Sequence, residues 1–289
     1  KGEPLFSMFL TGVSLAVAAI PEGLPAVVTI SLAIGVQKML KRNALIRRLP
    51  AVETLGCTDI ICTDKTGTLT ENRMTVKRIY VGGTSFQYEG KVLNSISSAI
   101  LSEAFNAVVL CNNSSLSYGP SQPSVTGDPT EGALLLAAAS ASFHKSDLEK
   151  KYKRIEEIPF DSDRKMMTVI CRDPSGKLVC YLKGAPDVLL SHCTHILLPN
   201  GIIKMEQHHR QNILNEINSM ASKALRVIAA ARKFPVISYL PLSDVEKGLT
   251  FIGLFGMIDP PRTGVADSIC KCRKAGIKTI MITGDHCET

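Results

Sequence analysis

The sequence has 289 residues, 45% of them hydrophobic and 20% charged. That is enough for about two domains at ~100–200 residues each, and too apolar for a disordered chain. The net charge is +7, aromatic residues make up 5% and there is no Trp, which argues against a base-stacking, nucleic-acid-binding surface. Nine cysteines are an odd number, irregularly spaced and mostly inside apolar runs (Cys62, Cys111, Cys171, Cys180). They read as reduced cytosolic thiols, not as a disulfide framework. Neither His192-Cys193-Thr194-His195 nor Cys270-Lys271-Cys272 has the paired spacing of a zinc site.

The first predicted element is a membrane span. Between residues 4 and 37 the single charge is Glu22, over a length that exceeds the ~20 residues needed to cross a bilayer. The run is too long for a signal-peptide core, and no small-residue cleavage site follows it. Lys38, Lys41, Arg42, Arg47 and Arg48 come directly after it and put that end in the cytosol. The sequence therefore predicts an integral membrane protein with one crossing and most of its mass cytosolic. Pro21-Glu22-Gly23-Leu24-Pro25 interrupts the span: two prolines lack the N–H a helix needs, and glycine loosens the same turn. Carbonyls freed at membrane depth must be satisfied by something. Together with the Glu22 carboxylate they form an oxygen cage suited to a hard cation such as Ca²⁺.

Next, Ile60-Ile61-Cys62-Thr63 reads as a buried strand that delivers Asp64 at its tip. Residues 95–110 and 206–225 read as helices. Residues 168–171 and 178–182 read as strands joined by the turn Asp173-Pro174-Ser175-Gly176. A strand at 251–257, a helix at 265–275 and a strand at 278–283 then resume a parallel α/β sheet. The parse is a sheet domain interrupted by an insertion: membrane helix 1–42, first part of the sheet domain 43–75, insertion 76–248, second part 249–289.

The chemistry centres on Asp64-Lys65-Thr66-Gly67-Thr68-Leu69-Thr70. A carboxylate at a strand's C-terminal edge stands where open α/β sheets place reacting groups. Lys65, Thr66, Gly67 and Thr68 add a cation, hydroxyls and backbone N–H groups for phosphoryl oxygens. This run resembles the phosphorylation motif of P-type ATPases, a branch of the haloacid-dehalogenase-like superfamily. Asp259-Pro260-Pro261-Arg262 resembles that family's hinge signature, and Thr283-Gly284-Asp285-His286 its second phosphate motif. Thr126-Gly127-Asp128-Pro129-Thr130-Glu131 and Lys183-Gly184-Ala185-Pro186 resemble nucleotide-domain motifs. They occur in the family's order and cover most of residues 10–289.

The resemblance implies an α/β fold. A Rossmann-like haloacid-dehalogenase-type phosphorylation domain would carry an inserted α+β nucleotide-binding domain, preceded by one proline-broken transmembrane helix. It implies that Asp64 is the nucleophile toward ATP, and that Asp64 and Thr66 hold Mg²⁺. Glu131, Phe160, Lys165, Lys183, Gly184 and Arg226 would hold ATP, with Thr283, Gly284 and Asp285 lining the phosphate pocket. The sequence departs from the pattern at Ser162, where many calcium pumps have Arg, and Arg164 and Lys165 stand nearby to compensate. Pro21–Pro25 resembles the fourth membrane helix of calcium-transporting pumps. That likeness implies Ca²⁺ ligation by the carbonyls of Val17, Ala18 and Ile20 and the side chain of Glu22, with Mn²⁺ as the other candidate ion. It further implies an internal piece of a longer pump, whose actuator domain and remaining helices would complete the machine. Two other readings stay open on sequence alone: a phosphatase of the same superfamily, and a membrane-anchored ATP-binding module without turnover.

Overall fold

The computed structural model describes residues 4–21, 23–90, 98–118, 123–236 and 242–283. The chain divides into two compact bodies, residues 1–63 with 266–281, and residues 64–265 with 282–289.

The first body opens with α1 (Leu5–Ala18) and α2 (Gly23–Leu40), followed by α3 (Pro50–Gly56) and β1 (Ile60–Asp64). The expected break is present: helix stops at Ala18 and restarts at Gly23. Over Leu5–Leu40 the best 18-residue window has a mean hydropathy of 1.8 and none of it is buried. The strand β1 departs from expectation. It alternates exposed and half-buried positions because, among the described residues, a single strand flanks it.

The second body runs through β2 (Thr75–Val81), β3 (Thr84–Gln87), α4 (Ser98–Leu110), β4 (Ser115–Tyr118) and β5 (Pro123–Thr126). There follow α5 (Pro129–Ser140), α6 (Lys145–Lys151), β6 (Lys153–Asp161), β7 (Met166–Arg172) and β8 (Leu178–Gly184). It continues with α7 (Pro186–Ser191), β9 (Cys193–Leu198), β10 (Gly201–Lys204), α8 (Gln207–Ala221), β11 (Arg226–Lys233), α9 (Leu242–Val245) and β12 (Leu249–Ile258). The chain then returns to the first body with α10 (Val265–Lys274) and β13 (Lys278–Ile282), and β13 pairs with β1. Of the helix expected at 95–110, residues 95–97 lie outside the described residues.

Nine strands of the second body form one sheet in the order β10-β9-β12-β11-β8-β7-β6, with β2 on β12 and β3 on β2. Every pairing is antiparallel except β12 with β9. The sheet is covered on both faces. On β8, Val179 and Tyr181 enter one core with Phe105, Val108 and Leu134, while Cys180 and Leu182 enter the other with Leu189, Ile213 and Met220. Alternation along each strand therefore distributes apolar residues to two cores.

The strand at 249–258 overturns one expectation. The sequence pattern places it in a parallel sheet with β1, yet it pairs antiparallel with β11 and β2 and parallel with β9. The physical reason is its composition: nine of its ten residues are buried. A continuous apolar run signals burial on both faces, a state usual in parallel sheets but not confined to them.

This placement has a testable consequence. Phe251, Ile252, Leu254, Phe255 and Met257 are all 0–1% exposed, and burying them is worth on the order of 10 kcal/mol, comparable to a domain's whole net stability. A segment of residues 76–248 is expected to lack a cooperative thermal transition, and one of residues 64–265 to show a sharp one. Circular dichroism melts of the two check this. Equal transitions would contradict the central role of β12.

Candidate functional site

The Asp64 loop comes first. Asp64 leaves β1 in an extended conformation, and Lys65–Leu69 form one irregular turn in which Gly67 has φ +77°, a value only glycine adopts without strain. Asp64 and Thr66 are both exposed. The turn is braced by residues 259–262, directly after β12. The buried Thr70 hydroxyl donates to Asp259 Oδ2 at 2.5 Å, and the Arg73 N–H donates to Asp259 Oδ1 at 3.0 Å. Arg262 donates through Nε to the Thr70 carbonyl and through Nη2 to the Gly67 carbonyl, each at 2.9 Å. Its own N–H reaches the Leu69 carbonyl at 2.8 Å. Thr283 follows β13. Gly284 and Asp285 lie outside the described residues, as does Glu22.

The second feature is a cleft of ≈ 670 Å³ in the same body. It gathers Glu131, Phe160, Lys165, Lys183, Gly184 and Arg226. Asp128 caps α5, accepting from the N–H groups of Thr130 at 2.8 Å and Glu131 at 3.0 Å, with Pro129 at the first helical position. That start sets Glu131 on the first turn, where its Oε2 accepts the N–H groups of Asn113 (2.8 Å) and Ser114 (2.9 Å). Its Oε1 is paired with the buried ammonium of Lys183 on β8. Behind them, Lys145 Nζ donates to the carbonyls of Asn112 (2.9 Å) and Ser114 (2.8 Å), fixing the segment that holds Glu131.

Gly184 ends β8 where any side chain would collide: a Cβ would lie 2.5 Å from the Lys165 carbonyl oxygen. That carbonyl instead accepts the Ala185 N–H at 2.9 Å. Arg226 opens β11 and donates to Thr130 Oγ1 at 3.2 Å. Phe160 is 63% exposed, a large apolar face beside three cations. Such a set can stack a flat heteroaromatic ring and neutralise phosphates. Burial works to raise the Glu131 carboxyl, but Lys183 and the Asn113 and Ser114 amides outweigh it and hold it below the usual carboxylate range.

Of the two residues placed to compensate for Ser162, Lys165 lines the cleft and Arg164 does not. Arg164 is turned to Glu246 and to the carbonyls of Pro159 and Met166. The structure adds Asp128 and Thr130 to the lining, which the helix-start pattern Asp128-Pro129-Thr130 marks in the sequence. Lys145 has no such signal. In the first body, the Val17 carbonyl accepts the Ile20 N–H at 3.1 Å. Cys111, Cys171 and Cys193 are buried free thiols: burial pushes Cys111 and Cys193 up to about 12 and Cys171 up to about 11. His192 Nδ1 lies 2.8 Å from the Glu246 carbonyl oxygen and His195 Nδ1 2.9 Å from Thr194 Oγ1.

A braced Asp-Lys-Thr loop and a cation-lined cleft share one α/β body, and comparison with known proteins places it. Residues 101–264 match the family model "P-type ATPase, cytoplasmic domain N", and the chain belongs to the P-type ATPase family. It is 46% identical to the "Calcium-transporting ATPase" of Bacillus subtilis over all of this chain and 34% of that protein. It is 52% identical to "Calcium-transporting ATPase 1" of Bacillus cereus over 98% of this chain and 31% of that protein. To the human "Calcium-transporting ATPase type 2C member 1" it is 38% identical, over all of this chain and 31% of that protein. The chain thus spans about a third of the length of these relatives.

The Glu131–Lys183 pair is testable by linkage. Glu131→Gln leaves a buried ammonium without its counter-charge, and the expected loss at pH 7 is about 3 kcal/mol. Because the folded carboxyl titrates below its unfolded value of 4.5, its contribution is present above pH 4.5 and lost as pH falls through the lowered folded value. Urea melts from pH 7 to pH 3 are expected to show the variant and wild type converging in acid. A gap that stays constant with pH would refute the pairing.

Proposed function

We propose that this chain is the ATP-binding and phosphate-accepting part of a calcium-transporting P-type ATPase, a membrane pump that couples ATP hydrolysis to Ca²⁺ movement. One observation carries the reading: Glu131, Phe160, Lys165, Lys183, Gly184 and Arg226, widely separated in sequence, line a single cleft. In it the adenine stacks on Phe160 while Lys165, Lys183 and Arg226 serve the phosphates.

Asp64 is the nucleophile. Its carboxylate oxygen attacks the γ-phosphorus, the bond to the β,γ-bridging oxygen breaks, ADP leaves with those electrons, and an aspartyl phosphate remains. Lys65 and the backbone N–H groups of the turn hold the charge that develops on the phosphoryl oxygens. Asp64 ends β1 and Thr66 lies in the turn that follows it. A carboxylate and a hydroxyl, both exposed, fit Mg²⁺, which takes one or two protein oxygens beside those of a phosphate. When bound, Mg²⁺ supplies neutralisation of the transferring group. Thr283, Gly284 and Asp285 are assigned to the same phosphate.

In this reading β1, α10 and β13 belong to a Rossmann-like haloacid-dehalogenase-type domain, and the nine-stranded sheet is its nucleotide-binding insertion, extended to residue 258. The unburied apolar stretch Leu5–Leu40 is the membrane element, since lipid is the solvent that accepts it. The carbonyls of Val17, Ala18 and Ile20 and the Glu22 carboxylate are assigned to the Ca²⁺ path. Remaining helices and an actuator domain of the longer pump complete ion binding and dephosphorylation.

The test is acyl-phosphate formation in the longer protein. Asp64→Asn is expected to abolish acid-stable, hydroxylamine-sensitive labelling from γ-³²P-ATP, because an amide is no nucleophile, while ATP binding persists. Labelling that survives in the variant would move the phosphate to another residue.

A further inference from the structure

The turn that presents Phe160 and Lys165 spans residues 161–165, between β6 and β7. Lys165 has φ +53°, a left-handed conformation that non-glycine residues hold only when their surroundings enforce it. Local bonds supply part of that enforcement. Asp161 Oδ1 accepts the N–H groups of Asp163 (2.9 Å) and Arg164 (3.0 Å), and the Lys165 N–H donates to the Asp161 carbonyl at 2.7 Å. These bonds lie on an exposed rim.

The remaining anchor is Arg164. Its Nη2 donates to the carbonyls of Pro159 (2.6 Å) and Met166 (3.1 Å), one on each side of the turn. Its Nη1 is ion-paired with Glu246. Glu246 is buried, and its Oε1 also accepts from the fully buried Thr168 hydroxyl at 2.6 Å. A planar guanidinium thus joins both ends of the turn to an anion fixed in the core. A lysine in its place would keep the charge opposite Glu246 but could not reach all three acceptors at once.

We propose that Arg164 is a positioning residue for nucleotide binding: through Glu246 and Thr168 it locks the 161–165 turn so that Phe160 and Lys165 face the cleft together, without itself holding phosphate. The proposal rests on the reading of the cleft as a nucleotide site. It separates this arginine from Ser162, the position where the resemblance puts a phosphate-binding one. A phosphate contact acts on ATP alone. A residue that sets the turn acts on the adenine platform as well, so it alters adenosine binding too.

The experiment is equilibrium dialysis of the 289-residue chain in detergent with labelled ATP and, separately, labelled adenosine, alongside thermal melts and amide NMR. Arg164→Lys is expected to melt near the wild-type temperature because the core charge stays paired. It is expected to bind both ATP and adenosine about tenfold more weakly, the loss of charge-assisted hydrogen bonds converted to affinity. The Lys165 and Ala185 amide signals are expected to move even without nucleotide, since the Lys165 carbonyl accepts the Ala185 N–H. Wild-type affinity for both ligands would overturn the proposal. So would weakening of ATP alone, which would make Arg164 a phosphate contact. If Arg164→Lys does not fold, Glu246→Gln, which keeps the side-chain shape and removes the anion, is read by the same criteria. A wild-type chain that binds no ATP at millimolar concentration fails the nucleotide reading itself, a result distinct from either.

Discussion

Strand β12 holds the second body together by backbone pairing on both edges. On one side it bonds to β11; on the other it bonds first to β9 and then to β2. Beyond β11 lies β8, so the strand that starts with Arg226 and the strand that ends with Lys183 and Gly184 take their positions from it. At its C-terminal end the chain passes straight into Asp259, Pro260, Pro261 and Arg262, which brace the turn after Asp64. One buried strand therefore fixes the backbone under the cleft and leads into the brace on the loop with the candidate nucleophile.

The polar groups of the cleft are arranged so that few are left to compete with a ligand's hydrogen bonds. Glu131 uses both carboxylate oxygens, one on Lys183 and the other on two amides. A buried ion pair is weak evidence for stability, since desolvation offsets much of the attraction. It does fix direction, and here the pair sits where β8 faces the start of α5. Lys145 and Arg164 serve the layer behind, each tying backbone carbonyls of a segment that holds a lining residue. The open side of the cleft is left to Phe160, whose ring is mostly exposed.

Much of this was legible in the sequence where local rules act alone. The hairpin of β7 and β8 follows from two apolar runs about a turn in which Asp173 accepts the Ser175 and Lys177 N–H groups. The helix break near Pro21 follows from missing N–H donors. What failed was pairing. The run Phe251-Ile252-Gly253-Leu254-Phe255-Gly256-Met257 announces burial, but its partners at residues 75–81, 193–196 and 226–232 are set by the whole sheet. Motif order named six residues of the cleft, yet it gave no hint that Arg164 turns away to Glu246, 82 positions along the chain. Long-range polar partners leave no periodic trace.

The central claim is that the cleft beside Phe160 receives a nucleotide base. The chain contains no Trp, so Phe160→Trp creates a sole indole at the proposed stacking surface, on a side chain exposed enough to accept the larger ring. Its emission, followed while ATP is titrated into the 289-residue chain in detergent, reports that surface and no other. The account predicts a saturable change with a midpoint between roughly micromolar and millimolar ATP. Emission that stays constant through millimolar ATP, in a variant that melts like the wild type, would contradict it.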